Sequence, residues 1–114
     1  MAQDAPVLHM LCGKAASGKS TLAAVLAEAP ATVMISEDAW LSALYGHEMA
    51  TIPDYLRCAA RLEEIIAPHV VALLSAGISV VLDFQANTPE RRGWLRAIAE
   101  AADAAHAFEW ILRE

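Results

Sequence analysis

Residues 13–20 read Gly-Lys-Ala-Ala-Ser-Gly-Lys-Ser, and no other feature of the 114-residue chain restricts its fold as tightly. The spacing G-x-x-x-x-G-K-S belongs to a loop that curls around a phosphate. Gly13 and Gly18 admit the tight curvature, and successive N–H groups, those of Lys14, Ala15, Ala16 and Ser17 among them, then converge on anionic oxygens. Lys19 is placed to reach β- and γ-phosphates and the Ser20 hydroxyl to ligate Mg²⁺, with Thr21 beside them. Such a loop needs a buried strand before it and a helix after it, whose positive N-terminal end adds to the phosphate site. Both flanks qualify: Val7 to Cys12 is an apolar run suited to a parallel strand, and Thr21 to Glu28 is made of good helix formers stopped by Pro30.

The chain length predicts a single domain, 1–114. A 57% hydrophobic content with 19% charged residues predicts a packed globule. The formal net charge of −6 speaks against broad nucleic-acid binding and against anionic membranes. Cys12 and Cys58 are far apart and read as small buried hydrophobes, and His9, His47, His69 and His106 show no metal-ligand spacing. Ile65 to Leu82 has no charged residue, but Pro68, His69, Ser75, Gly77 and Ser79 interrupt it. It reads as a buried helix, ended at Gly77, and then a buried strand. Nothing before Val7 resembles a secretory signal, so a cytoplasmic location is expected.

Further along, Ala31 to Ser36 reads as a second strand closing on Glu37-Asp38, and residues 39 to 53 read as aromatic and irregular. A long helix is predicted from Pro53 or Asp54, with Leu56, Ala59, Leu62, Ile66, Val70 and Leu73 as its buried stripe and a kink or restart at Pro68. Ile78 to Asp83 is the third strand. Thr88-Pro89 opens the next helix as N-cap and first residue, and Ala107 to Leu112 is the fourth strand. Alternation of this kind predicts an α/β fold of three layers, a parallel sheet with helices on both faces.

Ligands of open parallel sheets sit at the carboxyl ends of the strands, where the loop, Glu37-Asp38 and Asp83 all fall. Asp83 after its apolar run suits a carboxylate that helps hold Mg²⁺, or is an ordinary strand-end residue. Asp38 suits a group that orients an attacking hydroxyl and accepts its proton, or caps the helix begun by Ala39. Glu37 is placed to share that task. Of Arg91, Arg92 and Arg96, Arg92 is the candidate to meet an anionic substrate or the nucleotide, and Asn87 either orients phosphate or shapes the turn before Thr88.

Together, G-K-A-A-S-G-K-S, S-E-D after strand two and V-V-L-D-F-Q-A-N-T-P-E-R-R after strand three resemble the AAA_33-type P-loop kinases. That group is similar to the 5′-hydroxyl kinase domain of polynucleotide kinase, chloramphenicol phosphotransferase and zeta toxins. The resemblance implies the strand order 2-3-1-4 and transfer of the γ-phosphoryl group of ATP to a hydroxyl of a small molecule or nucleic-acid terminus. It implies Lys19, Asp38 and Arg92 as catalytic residues and Ser20 and Asp83 as the Mg²⁺ site. Trp40 and Leu41 stand where some relatives carry a basic residue. Such kinases continue past the fourth strand into an arginine-bearing lid and a fifth strand. The chain therefore resembles the first two-thirds of one, a truncated kinase with weak turnover and an exposed fourth strand open to self-association. The competing reading is a non-catalytic ATP-binding module acting through a partner. A GTPase is disfavoured, since neither N-K-x-D nor D-x-x-G is present.

Overall fold

A computed structural model of the chain describes residues 6–12, 19–84, 88–103 and 105–110, without the side chains of 12, 19, 20 and 105–110. The loop residues Gly13 to Gly18, Asn87 and the expected end of strand four at 111–112 lie outside the described residues.

Four strands, β1 (Val7–Cys12), β2 (Thr32–Ser36), β3 (Ser79–Asp83) and β4 (Ala105–Trp110), form one sheet in the order β2-β3-β1-β4. All three pairings are parallel, as the order of apolar runs and helices predicts. The helices are α1 (Lys19–Ala27), α2 (Glu37–Tyr45), α3 (Ile52–Ser75) and α4 (Pro89–Ala101). Alternation along each strand sends side chains to two cores. Leu8 and Met10 of β1, Ile35 of β2 and Val80 and Leu82 of β3 pack with α3 and α4, whereas Leu11 and Val81 pack with Ala23 of α1. These are the three layers expected.

Each helix on the α3–α4 side starts where a hydroxyl satisfies an orphan backbone N–H. Ser36 accepts from Ala39 N at 3.3 Å, Thr51 from Asp54 N at 3.2 Å and Thr88 from Arg91 N at 3.1 Å. The Thr88 cap and Pro89 start match expectation. Helix α3 closes on Gly77, whose φ of 88° suits a residue without Cβ. The charge-free stretch is thus the end of α3 followed by β3. No helix among the described residues is long and apolar enough to cross a membrane.

The structure corrects three details. Residues 39–45 are helical, because the Ser36 cap and the acids Glu37 and Asp38 in the first turn favour a helix start directly after β2. One turn of 3₁₀ helix, Gly46–Glu48, follows. Helix α3 runs continuously through Pro68. Its buried face is Cys58, Ala59, Leu62, Ile66, Val70 and Leu74, with Leu56 60% exposed and Leu73 half-buried, so the stripe is rotated from the expected one.

That rotation is testable by urea denaturation. Ile66→Ala, which opens a cavity in the core, should cost about 2–5 kcal/mol, and Leu56→Ala less than about 1 kcal/mol. Equal losses would mean the α3 face is misassigned.

Candidate active site

Parallel pairing brings the acidic strand ends together. Ser36 of β2 stands level with Asp83 of β3, and Met10 of β1 level with Leu82, one residue earlier. Strands β1, β3 and β2 therefore finish side by side. The phosphate-binding motif begins directly after β1, and Lys19 and Ser20 are the first two residues of α1. Asp83 is the last residue of β3, with its Oδ1 buried. Asp38 is the second residue of α2 and exposed; Ser36, not Asp38, caps that helix. Thr21 is exposed on α1.

The structure adds a cluster that the sequence reading passed over. Glu37, the first residue of α2, is only 3% exposed. Burying a carboxylate is costly unless it is paired. Its partner is Arg91 of α4, whose Nη2 donates to both Glu37 oxygens at 3.1 and 3.3 Å. Nη1 of the same guanidinium donates to Glu63 of α3 at 2.7 Å. The guanidinium also sits 5.7 Å from the Phe84 ring centre and 5.6 Å from that of Trp94, within cation–π range. Arg91 thus ties together α2, α3, α4 and the residue after β3.

Glu37 was expected to share a catalytic task with Asp38. The structure shows it buried and paired with Arg91 at the start of α2, and Asp38 beside it faces solvent. Arg92, the arginine singled out from sequence, is half-buried on α4, and the arginine joined to this acidic cluster is its neighbour. The missed signal is helical spacing. Arg91 lies four residues before Leu95 and seven before Ile98, on the buried stripe of α4, while Glu63 lies between Ala59 and Ile66 on that of α3. Opposite charges on two facing apolar stripes have to meet.

A cavity of about 250 Å³ opens beside this bridge, lined by Glu37, Tyr55, Leu56, Ala59, Ala60, Glu63, Thr88 and Arg91. Burial pushes the Tyr55 phenol above its ordinary pKa. The carboxylates of Glu37, Asp38 and Glu63 push it the same way, and Arg91 opposes them. Asp38 is thus electrostatically close to the cavity's tyrosine.

The donor set at the carboxyl edge suits Mg²⁺. A serine hydroxyl and one carboxylate are hard oxygen ligands, and Mg²⁺ bound with a nucleotide takes only one or two protein ligands besides phosphates and water. Among the described residues no group of three or more His, Cys, Asp or Glu could hold a metal on its own. Ser20 and Asp83 would hold it, and it would neutralise phosphate charge.

A parallel β2-β3-β1-β4 sheet between two helical layers, with G-x-x-x-x-G-K-S joining β1 to α1, defines a P-loop kinase fold. A family model for AAA_33, an AAA domain, matches residues 8–112, and the chain belongs to that family. Among solved structures it is similar to a putative kinase from Chloroflexus aurantiacus, with a TM-score of 0.75 at 18% identity over 96% of this chain and 61% of that one. It is similar to the APS kinase CysC of Mycobacterium tuberculosis in complex with AMPPNP and APS, with a TM-score of 0.66 at 17% identity over 96% of this chain and 64% of that one. It also matches a chain of the Pnkp1/Rnl/Hen1 complex, with a TM-score of 0.72 at 22% identity over 97% of this chain and 37% of that one. The chain therefore spans less than two-thirds of the length of each of these three. No curated protein matches it.

The bridge makes a sharp stability prediction. Arg91→Ala leaves the buried Glu37 carboxylate uncompensated and should cost about 3 kcal/mol in urea denaturation. Adding Glu37→Ala to Arg91→Ala should recover part of the loss, because it removes the stranded charge. Additive losses would contradict the pairing.

Proposed function

We propose that the chain is an ATP-dependent phosphotransferase that moves the γ-phosphoryl group of ATP to a hydroxyl of a small acceptor. The observation that carries this reading is the parallel register of Ser36 with Asp83 and of Met10 with Leu82, which sets the ends of β1, β2 and β3 and the start of α2 on one edge of the sheet. Family membership and the fold shared with a putative kinase and an APS kinase support it.

Each residue has a distinct part. Lys19 and the loop from Gly13 to Ser20 neutralise and cradle the phosphates. Asp38, exposed in the first turn of α2, orients the acceptor hydroxyl and takes its proton. The acceptor oxygen then bonds to the γ-phosphorus as the bond to the β–γ bridging oxygen breaks, and ADP leaves with that electron pair. Ser20 and Asp83 would hold the Mg²⁺ that accompanies the nucleotide, which would neutralise phosphate charge. Arg92 is assigned to the phosphoryl group's negative charge from the α4 side.

The test compares ATP-induced thermal shift with turnover over a panel of hydroxyl acceptors. Lys19→Ala should abolish the shift. Asp38→Asn should lower transfer by about 10²-fold or more while keeping ATP affinity, and Asp83→Asn should raise the Mg²⁺ requirement. ATP binding with no transfer to any acceptor would favour a non-catalytic nucleotide-binding module.

A further inference from the structure

The cavity beside Arg91 has a charge balance that selects its occupant. Its charged walls are Glu37, Glu63 and Arg91, two carboxylates against one guanidinium, and Asp38 follows Glu37 in the first turn of α2. The balance is negative. An acceptor carrying phosphate or sulfate would be repelled by two carboxylates and would need the arginine fork for itself. That fork is already committed: Nη1 donates to Glu63 and Nη2 to Glu37. Freeing it would leave Glu37 buried and uncompensated, which is strongly unfavourable.

We propose that this cavity is the acceptor site, and that the acceptor is a small hydroxyl compound bearing an amine whose cationic end lies against Glu37 and Glu63. A carboxylate accepts several hydrogen bonds, so both retain capacity beyond the Arg91 contacts. An ammonium group supplies the charge that the cavity lacks. The remaining wall is apolar, formed by Leu56, Ala59, Ala60 and the Tyr55 ring, and it packs on the acceptor's carbon skeleton. That gives the exposed Leu56 a task, as the lip of the cavity. A volume of about 250 Å³ lies just below the range of drug-sized sites and fits a small molecule. Asp38, felt by Tyr55 along with Glu37 and Glu63, is then close to a hydroxyl on the same molecule. The chain's net charge of −6 steers cations toward it as well.

This inference rests on the kinase reading for the word acceptor, but the charge class of the ligand can be measured without turnover. Two matched sets serve as probes: glucosamine, glucose and glucose 6-phosphate, and serinol, glycerol and glycerol 3-phosphate. Binding is followed by nuclear magnetic resonance on the chain, with and without Mg·ATP, and transfer is followed as ADP release. In at least one set the amine should bind about tenfold or more tighter than its neutral counterpart, and the phosphorylated one most weakly. Glu63→Gln, at a partly exposed position, should erase the amine preference and leave neutral binding unchanged, with the thermal melt confirming the fold. Glu63→Lys should invert the preference. Equal binding of amine and neutral probes, or tighter binding of the phosphorylated ones, overturns the proposal. Amine-selective binding without transfer overturns the kinase reading and upholds the charge class; transfer with no amine preference does the reverse.

Discussion

The position of β3 between β1 and β2 is the constraint on which the rest of this molecule depends. Because β3 pairs in parallel with both, three chain segments distant in sequence end at one edge. The driving force is burial on both sheet faces: Val80, Val81 and Leu82 are all fully buried, alternately under α3–α4 and α1. A strand of that composition is unstable at an edge. Its central place in turn sets Asp83 level with Ser36, and that register fixes where phosphate chemistry can occur.

A second constraint holds the acceptor side. Helix α2 starts immediately after β2, and its first residue is drawn inward to Arg91 while its second faces out. The Arg91 bridge is the means by which α4 and α3 determine the placement of α2, and hence of Asp38. Stacking near Phe84 extends the same contact to the residue following Asp83. One guanidinium therefore links the assigned proton acceptor to the end of the strand that carries the assigned metal ligand. The arrangement also explains why a buried ion pair occurs in so small a core: its merit is positional, and its net stabilisation is modest.

The element order, the parallel sheet and the edge where chemistry would occur were legible in the sequence, because apolar runs of strand length alternate with capped helices and every acidic candidate follows a strand. Thr88-Pro89 marked a boundary through a side-chain cap and a fixed φ, and Gly77 through backbone conformation. Helix α2 was legible only as the alternative in which Asp38 caps a helix begun by Ala39, since its aromatic residues and short length mask the period, and the decisive signal, Ala39 N donating to the Ser36 hydroxyl, is a local capping contact. The α3 stripe was read a fraction of a turn off because Leu56 looks like core, and Cys58, read as a buried residue, was left off the stripe. Arg91 was passed over for Arg92 because neighbouring arginines differ only in helical phase, and phase becomes decisive only when α3 supplies a carboxylate opposite. Pairings between elements are invisible to a reading made one element at a time.

The central claim is that the carboxyl edge of this sheet binds Mg·ATP. Hydrogen exchange of the backbone amides, with and without Mg·ATP, tests it most directly. Nucleotide should slow exchange together in the loop at 13–18, at the start of α1 and at the end of β3, and leave the far ends of the strands unchanged. No protection there, or protection confined to another part of the chain, would contradict the account.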